Sequence, residues 1–148
     1  MQPIDRVLET ILYVDDLEAA ERFYRDVLGL ELDSKKDGLF VFFKCGEGML
    51  LLFEPGAAST GRNVPAHGTS GPGHACFAVA EAALDDWKGR LRAAGVAIEQ
   101  EMTWPRGGRS FYFRDPAGNS LELATPRIWG LPEVNTSRAP LGRPGAPD

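Results

Sequence analysis

The chain has 148 residues, of which 43% are hydrophobic and 25% charged, a size and composition suited to one compact soluble domain or two small modules sharing a sheet. A formal net charge of −5 with no basic run argues against nucleic acid and anionic membranes as main partners. No apolar stretch reaches the length of a membrane span, and the first residues lack the basic and apolar regions of a signal peptide.

From Leu8 to Val14 the alternation predicts a strand with Glu9, Ile11 and Tyr13 on one face and Leu8, Leu12 and Val14 on the other. Asp15 or Asp16 is placed to cap a helix whose apolar stripe is Leu17, Ala20, Phe23, Tyr24 and Val27, closed by Gly29. Three strands are expected next, at 30–34, 39–45 and 48–54, with turns at Lys36-Asp37-Gly38 and Gly46-Glu47. The connection from Gly56 to Gly73 is long and rich in Gly, Pro, Ser and Thr, the mark of a functional or flexible loop. The order then repeats, with a strand at 74–79, a helix at about 82–94, and strands near 96–102, 110–114 and 120–124. Asp115-Pro116-Ala117-Gly118 is a turn between the last two. After Pro126, Trp129 is the expected aromatic anchor of a short segment, and the Pro-, Gly- and Arg-rich remainder reads as an arm.

The two halves superimpose as sequence. Val14-Asp15-Asp16-Leu17 and Val79-Ala80-Glu81-Ala82 each open a helix, and Leu28-Gly29 and Ala94-Gly95 each close one. Glu9 then falls on His74, and Leu51 on Glu122. A period this long marks a duplicated supersecondary unit, so the expected fold is α+β, with two βαβββ modules. In each module the more uniformly apolar strand face belongs under the helix. The other face, with the polar residues, should line a shared cupped surface of a partly open mixed sheet, leaving the helices outside.

That surface would hold Glu9, His74 and Glu122. Charged groups are costly to bury unless paired or coordinated, so two carboxylates and an imidazole at duplicated positions point to a divalent metal. Tyr112 and Ser110 alternate with Phe111 and Phe113 and so face the cavity as substrate-binding candidates, or stand on an exposed face. Trp104, before Pro105 and Gly107-Gly108, suits the lip of a pocket or an oligomer contact. Cys76 shares the His74 face, as a thiol or a small filler. Arg62 and His67 gate the site or clamp an anion, or are simply solvated. Two cysteines, Cys45 and Cys76, are too few for a disulfide scaffold, which makes a reducing cytoplasm the expected location.

The segments Glu9 to Leu17, Phe23-Tyr24 with Val27-Leu28-Gly29, Gly73-His74, and Phe111 to Glu122 with its Asp115-Pro116-Ala117-Gly118-Asn119 core resemble the vicinal oxygen chelate superfamily. That group includes glyoxalase I, extradiol dioxygenases, fosfomycin-modifying enzymes and bleomycin-binding proteins. The resemblance implies one domain at 1–126, made of modules 5–55 and 73–126 joined by loop 56–72, with 127–148 as a C-terminal arm. It implies a metal site at Glu9, His74 and Glu122, with Fe, Mn, Zn or Ni as the ion. It implies too a small-molecule substrate and a homodimer in which each site is shared between chains, or a fold-back in which it is not.

This chain departs from each of the three enzyme groups. Leu51 stands where glyoxalase I carries a glutamate, so a four-ligand set is excluded; Tyr13 replaces an arginine of the bacterial glyoxalases, and Ile11 a threonine of the fosfomycin enzymes. An extradiol acid/base histidine has only His67 to supply it. The expected activity is a metal-dependent lyase or isomerase, preferred over an oxygenase, that stabilises an enolate-like intermediate with Glu122 moving the proton. Tyr13, Leu51, Trp104, Ser110 and Tyr112 would contact substrate. The alternative is a metal-free protein that sequesters a small molecule, for which the aromatic residues Phe40, Phe42, Phe43, Trp104 and Tyr112 are suited.

Overall fold

The computed structural model describes residues 1–60 and 63–134. The strands are β1 (Glu9–Tyr13), β2 (Glu31–Lys36), β3 (Phe40–Cys45), β4 (Gly48–Phe53), β5 (His74–Ala78), β6 (Gln100–Thr103), β7 (Arg109–Arg114) and β8 (Ser120–Ala124). They form two four-stranded sheets of matching order, β1-β4-β3-β2 and β5-β8-β7-β6. In each sheet the first strand runs parallel to the last, and the remaining neighbours are antiparallel. This is the open mixed-sheet α+β fold of duplicated βαβββ modules. The register pairs Ile11 with Leu51 in the first sheet and Cys76 with Glu122 in the second.

Helix α1 (Leu17–Arg22) starts where Asp16 accepts a hydrogen bond from the Ala19 amide at 2.9 Å, which settles the capping residue between the two candidates. Its continuation, Phe23–Val27, is wound as a π-helix, so the single helix expected there is two segments of different pitch. Gly29 follows at φ 73°, a left-handed position that a side chain would strain. In the second module a 3₁₀ turn (Glu81–Ala83) leads into α3 (Leu84–Ala93), which buries Leu84 and Leu91.

One core serves both modules. Leu12 and Val14 of the first strand's inner face, Phe23, Tyr24, Phe43, Leu50 and Leu52 pack in the same cluster as Ala75, Leu91, Phe111, Phe113, Leu121 and Leu123. The rings of Phe23 and Phe113 meet across the modules at 6.4 Å. The alternation of faces thus holds, except at Leu8, which lies before β1 and is exposed because the ladder begins at Glu9.

Three expectations are corrected. The strand placed at 96–102 is only Gln100–Thr103; Val96 and Ile98 still pack on the core, but from irregular backbone. Loop 56–73 opens with a short helix, α2 (Pro55–Ala58), whose first amides are capped by the Glu54 carboxylate. Trp129 is no anchor. In the 3₁₀ turn Pro126–Trp129 the inward side chain is Ile128, and the indole is 69% exposed. Arg62, and the arm beyond residue 134, lie outside the described residues.

Candidate functional site

Strand β5 presents His74 and Cys76, and its partner β8 presents Ser120 and Glu122, on the face turned away from the core. The His74 ring is held by Nδ1, which donates to the Ser120 carbonyl at 3.0 Å. A carbonyl can only accept, so Nδ1 carries the hydrogen and the neutral ring keeps its lone pair on Nε2. That nitrogen lies 3.6 Å from Oε2 of Glu122. In that tautomer the Nε2 lone pair faces the carboxylate oxygen, a gap that a proton or a metal cation can bridge. His74 is exposed, whereas Glu122 is 5% exposed and its Oε1 has no hydrogen-bond partner. A buried carboxylate oxygen left unpaired is costly, and metal coordination would satisfy it.

The neighbours of Glu122 respond to its charge. Burial first, then Glu122, pushes the Cys76 thiol up to about 12, although Cys76 keeps solvent contact. Burial and then Glu122 also raise the Tyr112 phenol. Both groups stay neutral near the carboxylate. The Tyr112 ring faces that of His74, with centroids 6.2 Å apart and planes inclined by 28°. Ser110, on the same face of β7, is 3% exposed and accepts from the Trp104 indole at 2.9 Å, so its hydroxyl supports Trp104. Trp104, Tyr112, Arg114 and Ser120 line an open cavity of about 270 Å³ on this sheet.

The first sheet offers a different surface. Ile11, Tyr13, Phe40, Phe42 and Met49 pack with buried Leu51, Phe53 and Ala58 in a second apolar cluster on the side opposite the core. Phe40 and Phe42 stack at 4.0 Å. Part of loop 56–73 lies on this face: the His67 Nδ1 and the Tyr13 hydroxyl are hydrogen-bonded at 2.7 Å, and the imidazole stands edge-on to Phe53 at 4.7 Å. The loop therefore brings His67 against Tyr13, a contact that sequence spacing could not reveal. Leu51 is 7% exposed among these side chains, apolar in its surroundings as in its chemistry.

Glu9 is exposed at the start of β1 and, with His74 and Cys76, lines a cavity of about 430 Å³ between the β1–β4 and β5 edges. Glu122 does not line it. Among the described residues of one chain, no three His, Cys, Asp or Glu groups converge closely enough to hold a metal. The structure thus brings His74 and Glu122 together and leaves Glu9 on a neighbouring wall.

One residue that sequence analysis did not select stands behind this arrangement. Asn119, 1% exposed in the turn before β8, bonds the Gly73 amide, the Asp115 carboxylate and the Tyr13 carbonyl. It lay in the turn motif already noted, but no periodicity shows where a turn's side chain points.

Comparison with known proteins agrees with the fold. The chain is 34% identical over 112 residues to the glutathione transferase FosA of Serratia marcescens, covering 76% of this chain and 74% of that one. The crystal structure of a lactoylglutathione lyase from Agrobacterium tumefaciens is 48% identical and superimposes with a TM-score of 0.85, over 88% of this chain and 100% of the other. A glyoxalase/bleomycin resistance protein/dioxygenase from Nocardioides is 26% identical with a TM-score of 0.67, over 84% and 85% of the two chains. The matching family model spans residues 4–123, and the chain belongs to the Glyoxalase/Bleomycin resistance protein/Dioxygenase superfamily.

Proposed function

We propose that this protein is a divalent-metal-dependent enzyme acting on a small oxygen-bearing substrate, with lyase or isomerase chemistry preferred over oxygenation. The observation that carries the reading is the apposition of the His74 Nε2 lone pair and Glu122 Oε2 at 3.6 Å beside the unpartnered, buried Oε1. Its donors, one imidazole nitrogen and carboxylate oxygens, suit Fe²⁺, Mn²⁺, Zn²⁺ or Ni²⁺. His74 and Glu122 would hold the ion, with Glu9 as the third ligand, supplied by a second copy in a homodimer or, within one chain, by a shift of Glu9 across the cavity that it lines with His74, since among the described residues no three such groups converge as they stand. When bound, a divalent ion held by these residues would supply Lewis-acid charge to substrate oxygens.

The chain's own residues account for the rest. The Ser120 carbonyl fixes the His74 tautomer, as expected behind a ligating imidazole. Glu122 is the group to take and return a proton, and Tyr112 and Trp104 border the open face where substrate would lie. The apolar wall of Ile11, Tyr13, Leu51 and Phe53 excludes water from the first module's side. No helix among the described residues is long and apolar enough to cross a membrane, and the two free cysteines fit a reducing compartment.

Metal analysis of protein purified without added metal, compared with His74→Ala, tests the reading. Stoichiometric transition metal in the parent and its loss in the variant are expected. Metal-free protein that binds small aromatic molecules equally with and without chelator would instead favour a sequestering role, the second reading, for which the aromatic wall of the first sheet speaks. Sedimentation at micromolar concentration decides the source of Glu9. A monomer with full metal affinity places all ligands in one chain.

A further inference from the structure

We infer that Asn119 is a positioning residue whose side-chain amide holds the three strands bearing Glu9, His74 and Glu122 in fixed relation. The inference rests on the proposed metal site for its purpose, but its geometry stands independently. Asn119 Oδ1 accepts from the Gly73 amide at 2.8 Å, one residue before His74. Its Nδ2 donates to the Tyr13 carbonyl at 3.1 Å, at the end of the strand that begins with Glu9. The same Nδ2 donates to Asp115 Oδ2 at 2.9 Å. One N–H and two acceptors surround the group, so only one orientation of the amide satisfies all three, and both of its donor hydrogens are used.

The turn itself does not need that side chain. Asp115 Oδ1 already accepts the Ala117 and Asn119 amides, and the Gly118 amide bonds the Asp115 carbonyl. What the amide adds is reach between modules. The remaining Asp115 oxygen also accepts the hydroxyl of Tyr24, from the first module's helical segment, at 2.8 Å, and Tyr24 is fully buried. Gly73 comes so close to β1 that a Cβ there would meet Leu12 Cδ2 at 3.0 Å. Its carbonyl accepts from the Ser120 amide at 2.9 Å, which starts the β5–β8 register that sets Cys76 opposite Glu122 and His74 opposite Ser120. A buried, fully satisfied network of this kind specifies one geometry, because each alternative leaves a buried polar group unpaired.

Asn119→Asp keeps the shape but turns both donor contacts into facing acceptors; Asn119→Ser, too short to reach all three partners, is the milder companion should the first fail to fold. Leu91→Ala, on the core-facing side of α3 and outside the network, serves as the control for lost stability. In metal-free full-length protein, the nuclear Overhauser contact between the His74 and Tyr112 rings should weaken at least twofold in the Asn119 variants, and the Gly73 amide should exchange faster. Zn²⁺ affinity should fall roughly 10- to 100-fold, the range for residues that orient a ligand from behind. Leu91→Ala should preserve the ring contact and the affinity. Asn119 variants that keep the ring contact and Gly73 protection would overturn the inference, as would equal losses in the control. A parent that binds no Zn²⁺ would sink the metal reading alone, since the ring contact and amide exchange still judge Asn119.

Discussion

Replacing Glu122 with leucine should make the metal-free protein more stable while destroying its capacity for metal. Glu122 is 5% exposed, and its Oε1 has no partner. Such a buried, unsatisfied oxygen costs about 1–3 kcal/mol in the folded state. Leucine fills a similar volume and removes that cost. It also takes a negative charge away from Cys76 and Tyr112, which remain neutral donors able to reach water or Ser110. Allowing for imperfect packing, a net gain of about 1–2 kcal/mol is expected. For a chain of this length that is a rise of roughly 2–8 °C in the unfolding midpoint. The assay is thermal unfolding in excess chelator, beside Zn²⁺ titration by calorimetry. A parent stabilised by Zn²⁺ and a Glu122→Leu variant that is not, but starts higher, is the predicted pair. A lower midpoint for the variant in chelator would falsify the argument, for it would mean that the carboxylate stabilises the fold without metal.

Three further outcomes can be measured. Because the Cys76 thiol is pushed from the usual 9 up to about 12, it stays neutral where an unfolded thiol ionises; its contribution to stability is complete below pH 9 and lost as pH rises through 12. At pH 8 its alkylation, followed by peptide mass, should be on the order of 10³ slower than in unfolded chain, and Glu122→Gln should speed it; equal rates would remove the electrostatic account. Tyr13→Phe removes the 2.7 Å bond to His67 and should cost about 0.5–1.5 kcal/mol while speeding limited proteolysis within 56–73, whereas unchanged cleavage would show that packing on Phe53 suffices. Leu51→Glu buries a charge in an apolar cluster and should lower the midpoint in chelator by roughly 6–12 °C, the effect of about 3 kcal/mol, with recovery in excess Zn²⁺; no recovery would place Leu51 away from the metal.

The amino-acid sequence by itself determined the duplicated βαβββ order, the inner and outer faces of β1, β5 and β8, and the pairing of His74 with Glu122 in one neighbourhood. These are properties of period and repeat: residues two apart on a strand share a face wherever the strand goes, and two copies of one pattern fold alike. Short-range chemistry was legible as well, as at the Asp15-Asp16 cap (to within one residue), Gly29 and the turn from Asp115. Tertiary structure alone decided the rest. Val96 and Ile98 alternate like a strand, but among the described residues no strand pairs with them, and apolar alternation cannot say whether a ladder forms. Ile128 rather than Trp129 turns inward because the phase of a single 3₁₀ turn is set by what it packs on. Glu9 lines one cavity with His74 but lies apart from Glu122, since the angle between two sheets is fixed by the side chains between them. Asn119 is the plainest case. Its partners are 4, 46 and 106 residues away, and a hydrogen bond between distant segments exists only after the core has brought them to about 3 Å.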